Sequence, residues 1–378
     1  MSQSFHDALI IGAGISGLAC ATRLEREHID FCLISKDIGG RILQSKDGLV
    51  NYGAFFVCKD YDKVLPFVTV KKRIRLRDFC FHDKNSTYAL HEPRLIPFIP
   101  QFIKIERHLL RFKKHVYKLR KNSQFISQKK AIENDPYLHE LYMKNAYDFV
   151  SEHNLGKGTN RYLSKALYST TFSTIREMNA FSYLQFLLPL ITPIYTFNFE
   201  KERMIKPFHD KIIIDTVKDI HHKDKLYTIK TEKDVFHSKH IVLATEITWS
   251  SQYANIRNFN KPVITNMVHI NGNPQKEIKK KSYHLFSSSC NTQAIANLNN
   301  GSYLLYYKDE PPSLHDYFSN HEIIYEKQWN PAGTINGHYL IECNRGNNMY
   351  LIGDYNIAGL EESFMTGIYG ANQIIKNQ

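Results

Sequence analysis

Six residues near the start of the chain, Gly12-Ala13-Gly14-Ile15-Ser16-Gly17, have the spacing of a phosphate-binding turn. Gly12 permits a tight turn and Gly14 lets the backbone approach a pyrophosphate, while Gly17 allows a following helix to pack closely on the preceding strand. The N–H groups at the start of that helix would face the phosphates. These residue types at this spacing predict binding of a dinucleotide.

The flanking residues supply the elements that such a turn requires. Residues 7–11 are a short apolar run that predicts a buried parallel strand, residues 18–26 have helical spacing, and residues 30–35 predict a second strand. A glycine motif in this strand–turn–helix–strand order is far more specific than the motif alone. The alternative, a glycine-rich turn without a ligand, therefore has less support.

The end of the second predicted strand leaves the type of dinucleotide open. An acidic residue that holds the ribose hydroxyls is expected about 20 residues after the glycine turn. Ser35, Lys36 and Asp37 stand there instead. Ser35 would bond a ribose hydroxyl weakly, Asp37 would replace the acid after a backbone shift, and Lys36 would suit a 2′-phosphate. These residues alone leave NADP as an alternative.

The next residues, Gly39-Gly40-Arg41, favour FAD. A glycine pair lets the chain pass close to a ligand, and an arginine neutralises pyrophosphate charge. Together with Gly53-Ala54, this segment resembles the amine oxidase superfamily of flavoproteins, which includes monoamine and polyamine oxidases, protoporphyrinogen oxidase and phytoene desaturases. The resemblance implies FAD as the cofactor. The chain departs from the family in lacking the ribose glutamate and in its shorter spacing to Gly-Gly-Arg.

Two later segments match the same superfamily in order. Residues 211–245 predict a meander of three strands, and the resemblance places Val217 where the family holds the adenine. A buried strand near the C-terminus ends in Gly353-Asp354, which the resemblance assigns to the flavin ribitol chain. A helix over 361–375 follows, and the resemblance assigns its first residues to the flavin ring: Glu362, Ser363 and Phe364.

These matches predict an α/β protein in which a Rossmann-like FAD-binding domain of the GR2 type is interleaved with an α+β substrate domain. A length of 378 residues allows two domains, and 43% hydrophobic residues allow a sizeable core. The predicted FAD-binding domain combines residues 1–65, 205–255 and 345–378, and the predicted substrate domain combines residues 66–204 and 256–344.

The sequence shows no cysteine and histidine cluster at metal spacing, so no metal is expected. The six cysteines form no CxxC pair, and we expect them to be reduced thiols in a cytoplasmic protein. The histidines look scattered and surface-like. No Ser-His-Asp or Cys-His arrangement is visible, and no catalytic side chain is predicted, because a flavin itself carries the redox step.

The formal net charge of +12 favours anionic partners. Residues 93–121 combine apolar spacing with many bases, Arg120 among them, which would suit peripheral contact with an anionic membrane. An ordinary helix with one core face is favoured by about two to one. Nucleic-acid binding would rest on charge alone and is not expected. The expected partner is a small-molecule substrate, and the oligomeric state stays open.

The resemblance implies an oxidoreductase that moves a hydride from a small or apolar organic substrate, an amine or a C–C bond, onto flavin N5. Amine oxidases of the superfamily often hold the substrate nitrogen between two aromatic rings, one of which would fall near Gly359. No Tyr or Trp stands at that position, although Tyr355 is four residues earlier. The hypothesis of simple amine oxidation is therefore weakened. The alternatives are a non-redox flavoenzyme, such as an isomerase or mutase, and a flavin-binding protein that acts as a membrane- or partner-binding module.

Overall fold

A computed structural model describes residues 3–84, 86–90 and 92–377 of the chain. Within these residues the apolar, β-branched and aromatic runs form strands. The strands are β1 (Gln3–Gly14), β2 (Phe31–Gly39), β3 (Val57–Cys58), β4 (Val68–Ile74), β5 (Phe79–Asp83), β6 (Ser86–Ala89), β7 (Ile194–Phe199), β8 (Ile212–Ile214), β9 (Val217–Lys223), β10 (Leu226–Thr231), β11 (Val235–Leu243), β12 (Lys261–Pro274), β13 (Tyr283–Phe286), β14 (Thr292–Asn297), β15 (Ser302–Tyr307), β16 (Phe318–Asn336) and β17 (Met349–Leu351).

Among the described helices, α1 and α12 lie near the two ends of the chain, and α2 to α8 lie between β6 and β7. Several begin at a side chain that accepts a backbone N–H, as Asp135 does for α4. The helices are α1 (Ile15–Arg26), α2 (Ile99–Asn122), α3 (Gln128–Glu133), α4 (Pro136–Met143), α5 (Ala146–Glu152), α6 (Gly156–Gly158), α7 (Ser164–Thr171), α8 (Ala180–Leu187), α9 (Lys201–Ile205), α10 (Ile247–Tyr253), α11 (Lys276–Lys279) and α12 (Leu360–Lys376).

The first sheet has the strand order β8-β2-β1-β11-β10-β9, with β17 beside β11. β1 runs parallel to β2 and β11, β8 runs parallel to β2, and β17 runs parallel to β11. β10 and β9 extend the sheet as an antiparallel hairpin. Because its strands come from the start, the middle and the end of the chain, this one sheet is assembled from three stretches. The predicted Rossmann-like fold is confirmed.

The intervening stretches build the second, α+β part of the molecule. Its large sheet has the order β16-β12-β15-β14-β13-β5-β6, and a smaller sheet has the order β3-β7-β4. Helices α2 to α8 enclose a separate apolar core that contains Leu109, Phe112 and Phe181, each at most 1% exposed. Since β5 and β13 are neighbours in the large sheet, residues from both intervening stretches share one layer, as the interleaved arrangement predicts.

Small residues bring the C-terminal helix against the N-terminal one. A Cβ atom on Gly367 of α12 would lie 2.2 Å from the carbonyl oxygen of Ser16 and 2.9 Å from Cβ of Ala19, both on α1. A Cβ atom on Gly370 would lie 2.8 Å from Cγ2 of Ile352. The C-terminal helix α12 therefore packs closely on α1 through Gly367, and this contact fixes the two helices relative to each other.

The prediction of three strands over 211–245 is wrong in number, because the structure has four. The chain breaks at Asp215, whose carboxylate accepts the N–H groups of Thr216 (2.7 Å) and Lys233 (3.3 Å). This local bonding competes with strand pairing. As a result β8 joins the parallel part of the sheet beside β2, and β9 begins the antiparallel hairpin with β10.

The basic stretch 93–121 forms a 3-10 turn followed by α2, which has the core face that the ordinary-helix interpretation predicts. Arg120 departs from that interpretation, because its side chain is only 12% exposed and is turned towards Glu362. Among the described helices none is long and apolar enough to cross a membrane. The buried residues of α2 are Ile105, Leu109, Phe112, Val116 and Leu119.

Candidate cofactor site

The glycine turn has the geometry that each of its glycines was predicted to need. Gly12 has φ +106°, and a Cβ atom there would lie 2.5 Å from the carbonyl oxygen of Ala244. A Cβ atom on Gly17 would lie 1.9 Å from the carbonyl oxygen of Gly12. Nothing lies within 4 Å of a Cβ atom built on Gly14. Two of the glycines are thus required by the fold, and the third borders open space.

The first turn of α1 is prepared for an anion. Gly14 is the N-cap residue of the helix, has no side chain to cap it, and the first turn contains no acidic residue. The N–H groups of the first turn of a helix have no acceptor within the helix, and the helix dipole adds partial positive charge there. A phosphate is the ligand that this arrangement suits best. Ala13, Ile15 and Ser16 belong to the same turn and are at least partly buried.

Ser35 holds the glycine turn. Its hydroxyl accepts the N–H of Ala13 at 3.0 Å and donates to the carbonyl oxygen of Asp37 at 2.7 Å. Beyond it β2 continues beside the turn, where Gly39 pairs with Gly14. Lys36 and Asp37 are exposed at this edge. Ser35, Lys36 and Asp37 remain proposed contacts of the adenosine ribose. The hydroxyl of Ser35 already makes two hydrogen bonds within the protein.

Arg41 joins the N-terminal and C-terminal signatures. Its guanidinium forms a two-pronged ion pair with the carboxylate of Asp354, 313 positions away in sequence, and its Nη1 also lies 3.4 Å from the carbonyl oxygen of Ala332. Burial disfavours the guanidinium charge, but the neighbouring Asp354 carboxylate outweighs it and raises the pKa of Arg41. Asp354 is 6% exposed. The pair places the Gly-Gly-Arg and Gly353-Asp354 segments in one site.

Gly53 and Ala54 lie against this arginine segment. The N–H of Ala54 donates to the carbonyl oxygen of Arg41 at 2.8 Å, and a Cβ atom on Gly53 would lie 2.2 Å from the same oxygen. The ring of Trp329 comes within 3.2 Å of that Cβ position. Gly40 is exposed, and a Cβ atom there would lie 3.1 Å from the Cα of Gly14. The structure thus brings Gly40-Arg41 and Gly53-Ala54 next to the start of α1 and next to Trp329 on β16.

The first turn of α12 contains two buried carboxylates. Glu361 accepts the N–H groups of three consecutive residues, 62–64, at 2.8–3.0 Å. Glu362, 1% exposed, accepts two N–H groups of Arg120, from Nε at 2.9 Å and from Nη2 at 2.7 Å. Ser363 and Phe364 continue the turn, and Phe364 stacks on Phe67 with ring centroids 5.8 Å apart.

Val217, the proposed adenine contact, starts β9 and is partly buried.

Two buried polar atoms at the site lack a hydrogen-bond partner among the described residues: Nε1 of Trp329 and Oε2 of Glu362. A buried polar group without a partner costs about 1–3 kcal/mol. An acceptor would satisfy Nε1 of Trp329 and a donor would satisfy Oε2 of Glu362, and a flavin offers both kinds of group in its carbonyl oxygens and its N–H. With the open space at Gly14 and the uncapped α1, the residues present fit FAD.

Sequence analysis missed three residues of the site: Arg120, Trp329 and Glu361. Arg120 was grouped with surface bases because its partner is 242 positions away. Trp329 carried a weak signal, since it is one of two tryptophans.

Tyr355, four residues before the expected aromatic position, is buried, and its hydroxyl bonds the carbonyl oxygen of Thr245 and Oγ of Ser250. Its hydroxyl is therefore held by the segment after β11, and its ring lies against Gly353, where a Cβ atom would be 3.3 Å from Cε2 of Tyr355.

The expectation that the histidines are surface-like is wrong for His269. Its Nδ1 lies 3.2 Å from the hydroxyl of Tyr52 and its Nε2 lies 2.9 Å from Oγ of Ser302, with 5% of the residue exposed. Burial lowers its pKa, opposed in part by the charge of Asp47. His269 is therefore neutral in the folded protein and supports Tyr52, which precedes Gly53.

We expect His269 to make the protein less stable in acid. A group whose folded pKa is lowered contributes stability above its unfolded pKa of about 6.5 and loses that contribution as the pH falls below it. Urea unfolding at about pH 7.5 and about pH 5.5 measures the loss, which should be smaller in His269→Gln than in the wild type. Equal losses in the two proteins would contradict the assignment.

Comparisons with known proteins agree with this geometry. The family described as an NAD(P)-binding Rossmann-like domain matches residues 10–69. No curated protein sequence matches the chain. Among solved structures, wild-type putrescine oxidase bound to putrescine is similar with a TM-score of 0.68 at 12% identity, covering 99% of this chain and all of that one.

Two further structures are similar over almost their whole length. Cyclohexylamine oxidase from Brevibacterium oxydans has a TM-score of 0.65 at 14% identity, covering 98% of this chain and 99% of that one. A CLA-producing fatty acid isomerase from P. acnes has a TM-score of 0.68 at 13% identity, covering 98% of each chain. The chain therefore shares its overall fold with these oxidases and with this isomerase, and its N-terminal region matches a Rossmann-like dinucleotide-binding family.

Proposed function

We propose that the chain is an FAD-dependent oxidoreductase that oxidises a small or apolar organic substrate. The observation that carries the proposal is the Arg41–Asp354 pair, which brings two flavoprotein signatures 313 positions apart into contact in a single part-buried site. Coincidence in sequence would not be expected to produce contact in space. The fold shared with amine oxidases supports the same assignment.

The cofactor would be held by groups of three kinds. The first turn of α1, with the open space at Gly14, takes the pyrophosphate. Arg41 balances its negative charge while Asp354 keeps the guanidinium in place. The segment Gly53-Ala54, Trp329 and the start of α12 surround the ring end of the site. Val217 and residues 35–37 are the proposed adenosine contacts.

When bound, FAD supplies the acceptor for a hydride removed from a substrate C–H bond. The protein has to position that bond and exclude water, with the reacting atoms about 3–3.5 Å apart. The aromatic group beside Gly53 suits this task. Tyr52 stacks on Tyr325 with ring centroids 4.8 Å apart, and Lys327 lies 4.8 Å from the centre of the Trp329 ring. An apolar or aromatic substrate would be desolvated by these rings.

The visible spectrum of the purified full-length chain tests the cofactor. We expect flavin absorption as purified, or after addition of FAD. The absence of a flavin band, together with no uptake of added FAD, would overturn the proposal. Anaerobic mixing with amines, porphyrinogens and polyenes then tests the reaction, because oxidation of a substrate bleaches the flavin band.

Isomerisation is the second candidate, and the similarity to a fatty acid isomerase of the same fold favours it. The same anaerobic experiment separates the two. Product that accumulates without net bleaching and without an electron acceptor indicates isomerisation, whereas bleaching in proportion to product indicates oxidation. An unsaturated fatty acid is the probe for the isomerase, since the apolar groups near Gly53 suit a hydrocarbon chain.

We also propose that α2 contacts an anionic membrane surface. Besides its core face, the helix has a second apolar stripe that faces solvent: Ile99, Ile103, Leu110 and Tyr117 are 45%, 45%, 55% and 52% exposed. At 3.6 residues per turn these four residues lie within about 40° of one another. Five exposed bases flank the stripe, and a bilayer with acidic lipids complements both features. The bases are Arg107, Arg111, Lys114, Lys118 and Lys121.

Flotation with acidic liposomes at low salt tests this surface. Leu110→Glu should weaken binding by about 10- to 100-fold, because it removes the burial of one leucine and adds a repelled charge. The matched control is Ile324→Glu, which changes an exposed isoleucine (51%) on β16, away from α2. Binding that is absent in the wild type, or lost equally in both variants, would refute the assignment.

A further inference from the structure

Cys80, His82 and His284 form a buried cluster that the sequence did not reveal. One ligand atom from each lies within 4.8 Å of the other two. The residues are 6%, 9% and 0% exposed. The expectations of no metal cluster and of surface-like histidines missed this group, because only Cys80 and His82 are close in sequence.

The sheet determines the arrangement. Cys80 and His82 are two positions apart on β5, so their side chains point to the same face. β13 runs parallel to β5 with His284 opposite Cys80. The large sheet of the substrate domain thus presents one thiol and two imidazoles side by side. These are ligand types that Zn²⁺ prefers.

Hydrogen bonds on the far side of each ring orient the two histidines. Nε2 of His284 faces the carbonyl oxygens of Ile278 (2.9 Å) and Lys281 (3.2 Å), so it carries the ring proton and leaves Nδ1 with a lone pair. Nδ1 of His82 lies 3.2 Å from the hydroxyl of Thr87. Such outer bonds are typical of metal-binding histidines. The remaining nitrogens, Nε2 of His82 and Nδ1 of His284, are 2.8 Å apart.

We propose that Cys80, His82 and His284 bind one Zn²⁺ ion. The hydroxyl of Thr87 can accept a hydrogen bond as well as donate one, so His82 can move its proton to Nδ1 and free Nε2 for the metal. The two nitrogens would have to separate to about 3.3 Å, the distance that two Zn–N bonds of about 2.05 Å subtend in a tetrahedron. This requires a shift of about half an ångström.

A carboxylate on α11 would supply the fourth ligand. α11 lies beside the cluster, because the carbonyl oxygen of Ile278 faces Nε2 of His284, and Glu277 precedes Ile278. Glu277 is exposed and its carboxylate pairs with Lys280 at 2.6 Å, so it is free to exchange that partner. With it the site would be closed and four-coordinate, as structural zinc sites are. The ion would join β5 to β13, which come from different stretches of the chain.

Titration of the purified full-length chain with Co²⁺, followed by displacement with Zn²⁺, tests the proposal. The wild type should bind about one ion per chain with a thiolate-to-cobalt absorption band. Cys80→Ser should lose that band and weaken zinc binding by at least about 100-fold. The matched control is Cys290→Ser, which changes a partly exposed cysteine outside the cluster and should behave like the wild type.

A second variant guards against failure of Cys80→Ser to fold. Thr87 is exposed, and Thr87→Val removes only the outer hydrogen bond to His82. It should keep the cobalt band and weaken zinc binding by about 10- to 100-fold. No cobalt band in the wild type, or equal zinc affinities in the wild type, Cys80→Ser and Thr87→Val, would overturn the proposal. Flavin content is a separate readout, so this result does not depend on the proposed function.

Discussion

Gly14→Val is expected to weaken FAD binding by at least about 100-fold while the protein still folds. The side chain would occupy the open space beside the uncapped first turn of α1, where the pyrophosphate has to approach. The backbone tolerates the change, because Gly14 has φ −73° and ψ 176°, which valine adopts readily. The free energy of unfolding without cofactor should fall by about 1 kcal/mol or less, the usual loss for a poorer N-cap residue. Fluorescence titration with FAD and urea unfolding measure the two effects.

Gly17→Ala is the matched control, because we expect it to impair folding itself, whereas Gly14→Val should impair mainly FAD binding. Its Cβ atom would lie 1.9 Å from the carbonyl oxygen of Gly12, so the turn itself must move. We expect the free energy of unfolding to fall by about 3 kcal/mol or more, at the upper end of overpacking effects. If Gly14→Val were instead destabilised as strongly as Gly17→Ala, or bound FAD normally, the assignment of Gly14 to the pyrophosphate would be refuted.

The nucleotide-binding half of the molecule was predictable because its signals are local. Gly12 and Gly17 are needed for contacts within about 10 residues or with the adjacent strand, so their spacing alone states the geometry. The helix α12 and the strand β17 are marked by hydrophobic runs with clear ends. The pairing of Arg41 with Asp354 was not predicted, since neither residue carries information about the other, and the resemblance only assigned both residues to the cofactor.

The other contacts depend on the register of distant segments, which a single sequence does not specify. Glu362 meets Arg120 only because the last turn of α2 ends beside the start of α12. His284 meets Cys80 only because β13 pairs with β5 in that register, and a shift of one residue would turn His284 to the opposite face. The break at Asp215 arises from competition between side-chain bonding and strand pairing, which periodicity does not detect.

Arg120→Leu is expected to cause the largest loss of stability, about 3–5 kcal/mol in the free energy of unfolding. The variant leaves the carboxylate of Glu362 buried without its partner, and Glu362 is 1% exposed. Arg120 also lies 3.8 Å from Asp60 and over the ring of Tyr61, so one side chain links α2 to the segment before the Glu361-capped turn. Urea unfolding of the cofactor-free protein measures the loss, with Arg107→Leu on the exposed face of α2 as a control that should change it by about 0.5 kcal/mol or less.

The double variant Arg120→Leu with Glu362→Gln separates the two sources of the loss. If an unpaired buried charge causes it, removal of that charge should restore most of the stability, because a neutral amide is much less costly to bury than a carboxylate. A loss that remains unchanged would mean that the packing of the arginine stem matters and the charge does not. Oε2 of Glu362 has no partner among the described residues, so the amide of Glu362→Gln also tests the ring end of the site. A shift of the bound flavin spectrum in the double variant, beyond that of Arg120→Leu alone, would place that oxygen against the cofactor.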